Sequence, residues 1–384
     1  MHEPAKLRYL PLVEAGAIHS VLSEWQSAFA GMGICALLPE ADKDKLPVLQ
    51  AQCNALHIQL VGAIFPALVC NGDFLVNGVW LMRLDVMPYY ELHTDLPTDQ
   101  EAAENYMDVV TAQLARQLHE STEATLLMLF DAMVPNIGTY LDGIYLNLAN
   151  RVHYAGANAG SETFQPMDCL FDAKRLVKNG MLLVLLPDHK GAILEHGYLA
   201  PPQTVYATST LGNCISQIDW RPAFEVYQEL VHLQSGVKIT AENFYTQAVH
   251  FPFGIVRANH HVVVRIPVML KEDGSLFCVG EVPANSVLTL LKSPTVDTSE
   301  TLRVLTQGLH SMNGDTTDTE LLFFYCAGRR MHLGVEKATQ ELGDFQQQTR
   351  AGAVAGALSL GELGGSTLHG YPLLHNATLV ASRW

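Results

Sequence analysis

Ala355-Gly356-Ala357-Leu358-Ser359-Leu360-Gly361-Glu362-Leu363-Gly364-Gly365, followed by Leu374-His375-Asn376-Ala377-Thr378-Leu379-Val380, is the stretch from which the fold is read. A strand-like run from Leu321 to Ala327 and a helix-like run over Gly334–Gln348 precede it, with Val335, Ala338, Leu342 and Phe345 at helical spacing. The phrase is strand, helix, Gly-Ala turn, excursion and closing strand. It occurs twice more. Gly-Ala stands at 62–63, 156–157 and 356–357, and an Asn at 77, 179 or 376 introduces the last strand.

The first copy has a short strand at Ile34–Pro39 and a helix over Asp42–His57, with Pro47 tolerable only near its first turn. Before it, Ile18, Leu22, Trp25 and Phe29 mark a helix over Glu14–Ala30. The second copy opens at Thr125–Asp131, continues through a helix over Asn136–Asn150 and closes at Asn179–Leu186, after a helix over Glu101–Glu120. A strand–helix–strand crossover favours parallel pairing, and a returning strand adds an antiparallel edge. The expected class is therefore α/β with mixed sheets, duplicated within domains.

Between the second and third copies the pattern changes. Thr204–Ser209, His261–Val268, Leu276–Val279 and Val287–Leu290 are strand-like, with Glu272-Asp273-Gly274-Ser275 as a hairpin turn and one helix from Pro222 to Leu233. Gly and Pro concentrate over Gly191–Pro202, so two domains are expected: 1–195, and 196–384 made of a β-rich part (196–295) and an α/β unit (296–384).

Composition narrows the function. The 384 residues carry a net charge of −16, which opposes binding to a nucleic-acid backbone; the pair Arg329-Arg330 does not make a polyanion surface. No apolar run reaches the roughly 18 residues of a membrane helix, and residues 1–8 lack a leader pattern, so membrane insertion is not expected and a cytoplasmic location is. Seven dispersed cysteines without C-x-x-C exclude a zinc ribbon and covalent c-type haem.

Leu322-Phe323-Phe324-Tyr325-Cys326-Ala327-Gly328-Arg329-Arg330, with Gly361-Glu362 and His375–Leu379, resembles the C-terminal half of FIST proteins, named for F-box and intracellular signal transduction proteins. His196-Gly197, Gly212-Asn213, Asp219–Ala223 and Val264–Pro267 carry the same likeness through the middle. Ala155–Ser161 stands where the family has a Gly-rich turn ending in Asp, but Ala155, Ala157 and Ser161 depart from that form. The resemblance implies a non-enzymatic sensor of a small-molecule or gas ligand that signals to a sensor histidine kinase or other signalling protein in trans, possible also as a homodimer. One branch, the NosP proteins, binds haem b and senses nitric oxide. Within the resemblance, haem with nitric oxide and an amino acid or other small metabolite are rival ligands.

Several residues are candidates on that reading. Arg329 or Arg330, after a strand, can offer a donor fork to a ligand carboxylate or haem propionate, against a surface or interface pair. Asp131 holds a similar place in the second copy, as ligand acceptor or helix cap. Glu362 can face a cleft, although Glu162 at the matching offset points to a shared role in folding; His375 is distinctive beside Asn376. For a haem iron the candidates are His196, at the domain junction, then His250 before Phe251-Pro252-Phe253, then His153. The crevice is expected to be fed by residues near 131, 196 and 329. An enzyme using Cys326 or Glu362 is the reading from another class; G-x-S-x-G, H-E-x-x-H, Walker and dinucleotide fingerprints are missing.

Overall fold

The computed structural model describes residues 4–118, 123–258, 261–293, 299–365 and 370–384. Its α/β body is built from three copies of one unit. The first holds the parallel strands Gly33–Pro39 and Gln59–Phe65. The second holds Ala124–Asp131 and His153–Ala159, and the third Glu320–Cys326 and Ala353–Ser359. In each, a closing strand lies antiparallel on the outer side of the first: Val79–Leu84, Met181–Pro187 or Leu379–Arg383. A further strand is added beyond it, Leu7–Leu10, Tyr90–His93 or Ile193–Glu195. The expected mixed α/β class is what the chain adopts.

The other edge of each parallel pair is covered by a neighbour. The hairpin Leu68–Cys70/Asp73–Leu75 leaves the first unit and pairs with Ala355–Ala357 of the third. The hairpin at Leu170–Asp172 leaves the second unit for Val61–Ala63 of the first. Glu362–Gly365 leaves the third for Ala155–Ala157 of the second. The three sheets therefore close into a ring, and no long strand of a parallel pair is left as an open edge.

Alternation along the strands explains their unbroken hydrophobic runs. Leu126, Met128 and Phe130 pack under the helices Gln100–Gln117 and Ile137–Leu148, whereas Leu127 and Leu129 enter the core shared by all three sheets. Likewise Leu321, Phe323 and Tyr325 face the helices Ser299–Asn313 and Val335–Thr349, and Leu322 and Phe324 face the shared core. Both faces of each strand are buried, so period two does not show in polarity.

The recurring glycines have a steric cause. Gly62, Gly156 and Gly356 hold the same register, opposite Ala36, Met128 and Phe323. A Cβ there would lie 2.1, 1.8 and 1.7 Å from the carbonyl oxygens of Ala36, Met128 and Phe323. Gly-Ala thus sits inside a strand, not in the turn expected. The register also places Ala377, not Asn376, level with Asn179, because Met181 opposes Phe130 and Leu379 opposes Tyr325. At this bend Gly78, Asn179 and Ala377 all have positive φ.

The helix over Glu101–Glu120 ends at Gln117, and residues 119–122 lie outside the described residues. The helix over Asp42–His57 divides into a 3-10 turn, Glu40–Lys45, and Leu46–Ala55 with Pro47 in its first turn. The helix Ser299–Asn313, unread in the sequence, puts Leu302, Leu305 and Leu309 into the third unit's core.

The β-rich part interrupts the third unit between Ile193–Glu195 and Ser299–Asn313. Its sheet runs from Val262–Arg265 to Pro267–Leu270, strands separated only by Ile266, so it curls until its two ends meet there. Tyr227, Phe244, Phe253 and Leu288 fill its own core. Residues 299–384 hydrogen-bond with the first two units, so hydrogen bonding cuts across the linear 1–195/196–384 division; the expected internal boundary at 295/296 falls outside the described residues.

Gly356→Ala is expected to lower unfolding stability by about 3 kcal/mol, since the carbonyl it meets is fixed in the strand ladder. Gly343→Ala, on the helix Val335–Thr349 where a Cβ meets nothing within 4 Å, is expected to gain about 1 kcal/mol. Denaturant unfolding of the two variants checks both signs.

Candidate functional site: a crevice under the inserted sheet

The inserted sheet lies over the carboxyl ends of the second and third units' parallel strands. Arg265 Nη1 donates to Leu374 O at 2.7 Å, and Asn376 Oδ1 accepts from Ile266 N at 3.1 Å. The Glu281 carboxylate accepts from the amides of Gly138 and Thr139 at the start of helix Ile137–Leu148. Ligands of α/β proteins favour this end of the strands.

Two contiguous hollows remain beneath the insert. The inner one, about 260 Å³, is bounded by Cys326, Ala327, Gly328 and Met331 of the body and by Val249 and Ile266–Val268 of the insert. The outer one, about 930 Å³, runs past Met133–Ile137 and Asn158 on the body and Leu211–Cys214 and Met269 on the insert. Phe164, Tyr245, Val268 and Val279 line both, which joins them into one crevice.

The expected ligand-facing charges are spent elsewhere. Arg329 is 1% exposed; its Nε and Nη2 donate to the two Glu341 carboxylate oxygens at 2.8 and 2.6 Å, and Nη1 donates to His196 O at 2.8 Å. Tyr325 OH completes the group on Glu341 at 2.6 Å. Arg329 is thus a buried structural fork, clamping the insert's first residues to the body. Arg330 donates to both Glu162 oxygens at 2.7 Å and lies over the Phe74 ring, bridging the second and third units.

Asp131 is also internal. Its Oδ1 accepts from Met133 N at 2.9 Å and its Oδ2 from Asn179 N at 2.7 Å, tying the end of one strand to the start of the closing strand. Burial raises its pKa against those two donors. Gly78 N→Asp42 Oδ2 at 2.6 Å and Ala377 N→Cys326 Sγ at 3.0 Å repeat the tie in the other units. The crevice is fed by residues near 131 and 329, Ala132 and Gly328, whereas Asp131, His196 and Arg329, the expected ligand and cofactor residues, do not line it.

Cys326 and Glu362 do meet. The Glu362 carboxyl is fully buried, accepts from Ser359 Oγ at 2.5 Å and from Thr378 N at 3.3 Å, and hydrogen-bonds with the Cys326 thiol. Burial pushes its pKa up to about 8 despite those donors. Burial, then the neighbouring Glu362, raises the Cys326 thiol well above its ordinary value. A neutral thiol beside a neutral carboxyl at pH 7 is a poor nucleophile. Glu162 at the matching offset lies in a loop on Arg330, so the two glutamates do not share the role expected from their recurrence.

The histidines do not fit haem. The His196 ring accepts from Tyr198 N at 2.9 Å and bonds the Val262 backbone, so both ring nitrogens are committed. His250 Nδ1 is 2.8 Å from His332 Nδ1. His153 begins its strand, at the end away from the crevice, against Gly191. His375 is buried, and burial lowers its pKa to about 3. No histidine, and no Lys or Arg to meet a propionate, lines either hollow among the described residues.

What sequence reasoning missed is the apolar wall: Phe164, Tyr245, Val249, Val268, Val279, Met331 and Leu360. The runs His261–Val268, Leu276–Val279 and Ala355–Gly365 contain some of these residues, but in the sequence they read as strands and turns and not as a ligand wall.

The raised Glu362 pKa has a stability consequence. Between the unfolded value of about 4.3 and the folded value of about 8 the native state holds a proton the unfolded chain has released, so stability falls as pH rises through that window. Glu362→Gln is expected to flatten this slope, by up to about 1.4 kcal/mol per pH unit, in denaturant unfolding at pH 5 to 8.

Among the described residues no helix is long and apolar enough to cross a membrane. No curated protein matches the chain. A family model described as FIST N domain matches residues 33–221, and one described as FIST C domain matches residues 223–365. Such domains are small-ligand sensory domains of signalling proteins. The chain belongs to the FIST family.

Proposed function

We propose that this protein is a non-enzymatic small-ligand sensor whose ligand lies in the crevice between the α/β body and the inserted sheet, and whose state is read by a signalling protein in trans. The observation that carries this reading is the joined pair of hollows at the carboxyl ends of the strands, walled on one side by the body and on the other by the insert. A ligand touching both walls binds best to one relative pose of the two parts and so shifts their equilibrium. The histidine geometry favours a small organic metabolite over haem.

A saturating member of a small-metabolite panel, at about 100 times its Kd, is expected to stabilise the protein by about 2.7 kcal/mol, read as a rise in melting temperature. Met331→Trp, at a position 42% exposed on the inner hollow's wall, is expected to abolish that rise while leaving the ligand-free melting temperature unchanged. An unaltered response in this variant would move the site elsewhere. After haem loading and desalting, the purified protein is expected to show no Soret band; a persistent band lost in His196→Ala would reinstate haem.

A further inference from the structure

The crevice has a one-sided chemistry. Its outer hollow is lined by Asp99, Asn136, Asn158, Asn213 and Glu281, and by no Lys, Arg or His among the described residues. The amide orientation at Asn136 is set by Nδ2 donating to Pro97 O at 3.2 Å, which leaves Oδ1 as an acceptor. Oδ1 of Asn136, Asn158 and Asn213 each finds no donor among the described residues, and Asn136 and Asn158 are 7% and 1% exposed. Acceptors buried without partners cost free energy that a donor-bearing ligand recovers. Glu281, whose pKa burial raises, has backbone donors at the helix start; the Arg265 guanidinium, held on the Glu281 carbonyl, pulls that pKa the other way without a salt bridge to the carboxylate among the described residues.

A carboxylate ligand meets the opposite situation: acceptors and acidic groups, no cation on the lining among the described residues, and a protein of net charge −16. The arginines beside the crevice are already engaged: Arg330 by both oxygens of Glu162, Arg329 by Glu341, and Arg265 by the carbonyls of Glu281 and Leu374. The inner hollow itself is apolar over most of its wall, with Val249, Ile266, Val268, Met331 and Leu360. It suits a hydrocarbon group and not a second charge.

Resting on the sensor reading above, we infer that the ligand class of this crevice is a small organic amine, its ammonium group held among Asn136, Asn158, Asn213 and Glu281 and its short hydrocarbon tail in the inner hollow. The amine N–H groups supply the donors that the amide oxygens lack, and the positive charge offsets the carboxylate. A zwitterionic amino acid binds less well, since its carboxylate has no partner here.

The full chain, titrated with n-hexylamine, hexanoate and leucine by calorimetry and thermal melting, tests this. Hexylamine is expected to bind saturably and raise the melting temperature, with hexanoate and leucine at least about tenfold weaker. Glu281→Gln is expected to weaken hexylamine about tenfold. Because that change also touches a helix start, Met269→Lys decides: Met269 is 55% exposed on the outer hollow, so a cation there leaves folding intact. It is expected to weaken hexylamine about fivefold through charge repulsion near the surface. Hexanoate or leucine binding as tightly as hexylamine, no saturable hexylamine response, or an unchanged hexylamine affinity in Met269→Lys would each overturn the amine assignment. If the wild type still responds to another panel member and Met331→Trp does not, the sensor reading stands without it.

Discussion

Each parallel strand pair in this chain has one edge that its own unit cannot cover, and the whole architecture follows from how that edge is satisfied. A bare row of backbone donors and acceptors beside Gln59–Phe65, His153–Ala159 or Ala353–Ser359 would be an open template. The neighbouring unit supplies a short hairpin strand instead, in cyclic order. The exchange draws the three sheets around one core, where Phe65 meets Phe324 at a ring-centroid distance of 5.8 Å. It also gathers the carboxyl ends of the strands at one end of the body, which the insert then roofs.

Equivalent positions in the copies have diverged at that end. The last residue of the first parallel strand is Pro39, Asp131 or Cys326. Six residues beyond the strand glycine stand Leu68, Glu162 and Glu362, the first in a hairpin, the second on Arg330 and the third buried against Cys326. The repeated ties at Gly78, Asn179 and Ala377 belong to folding. The buried thiol–carboxyl pair belongs to the third copy alone among these three, and Cys326 forms part of the inner hollow's wall.

The fold was legible where sterics leave one choice of residue. A Cβ at Gly62, Gly156 or Gly356 would strike a carbonyl, so glycine recurs and marks three strands. Those glycines did not reveal that they sit in mid-strand, because a lone Gly in an apolar run also suits a turn. Exchange was hidden for a different reason: Leu68–Cys70 and Leu170–Asp172 are three residues long, too short for any periodicity. At the site, residue type identified Arg329 as a donor fork, but its acceptor, Glu341, lies on another helix and only the fold brings the two together. The crevice wall is made of ordinary apolar residues from positions as far apart as Phe164, Tyr245 and Met331, which carry no local signature.

The ring has a cost in time during synthesis. Leu68–Cys70 finds its second partner at Ala355–Ala357, so a chain leaving the ribosome must carry that hairpin with its other edge open until those residues have been translated. The insert, with its own core, stands between them in the sequence and can condense first. Closure of the ring is therefore a late, long-range event, and the nascent first unit is the part that most needs shielding from wrong strand partners.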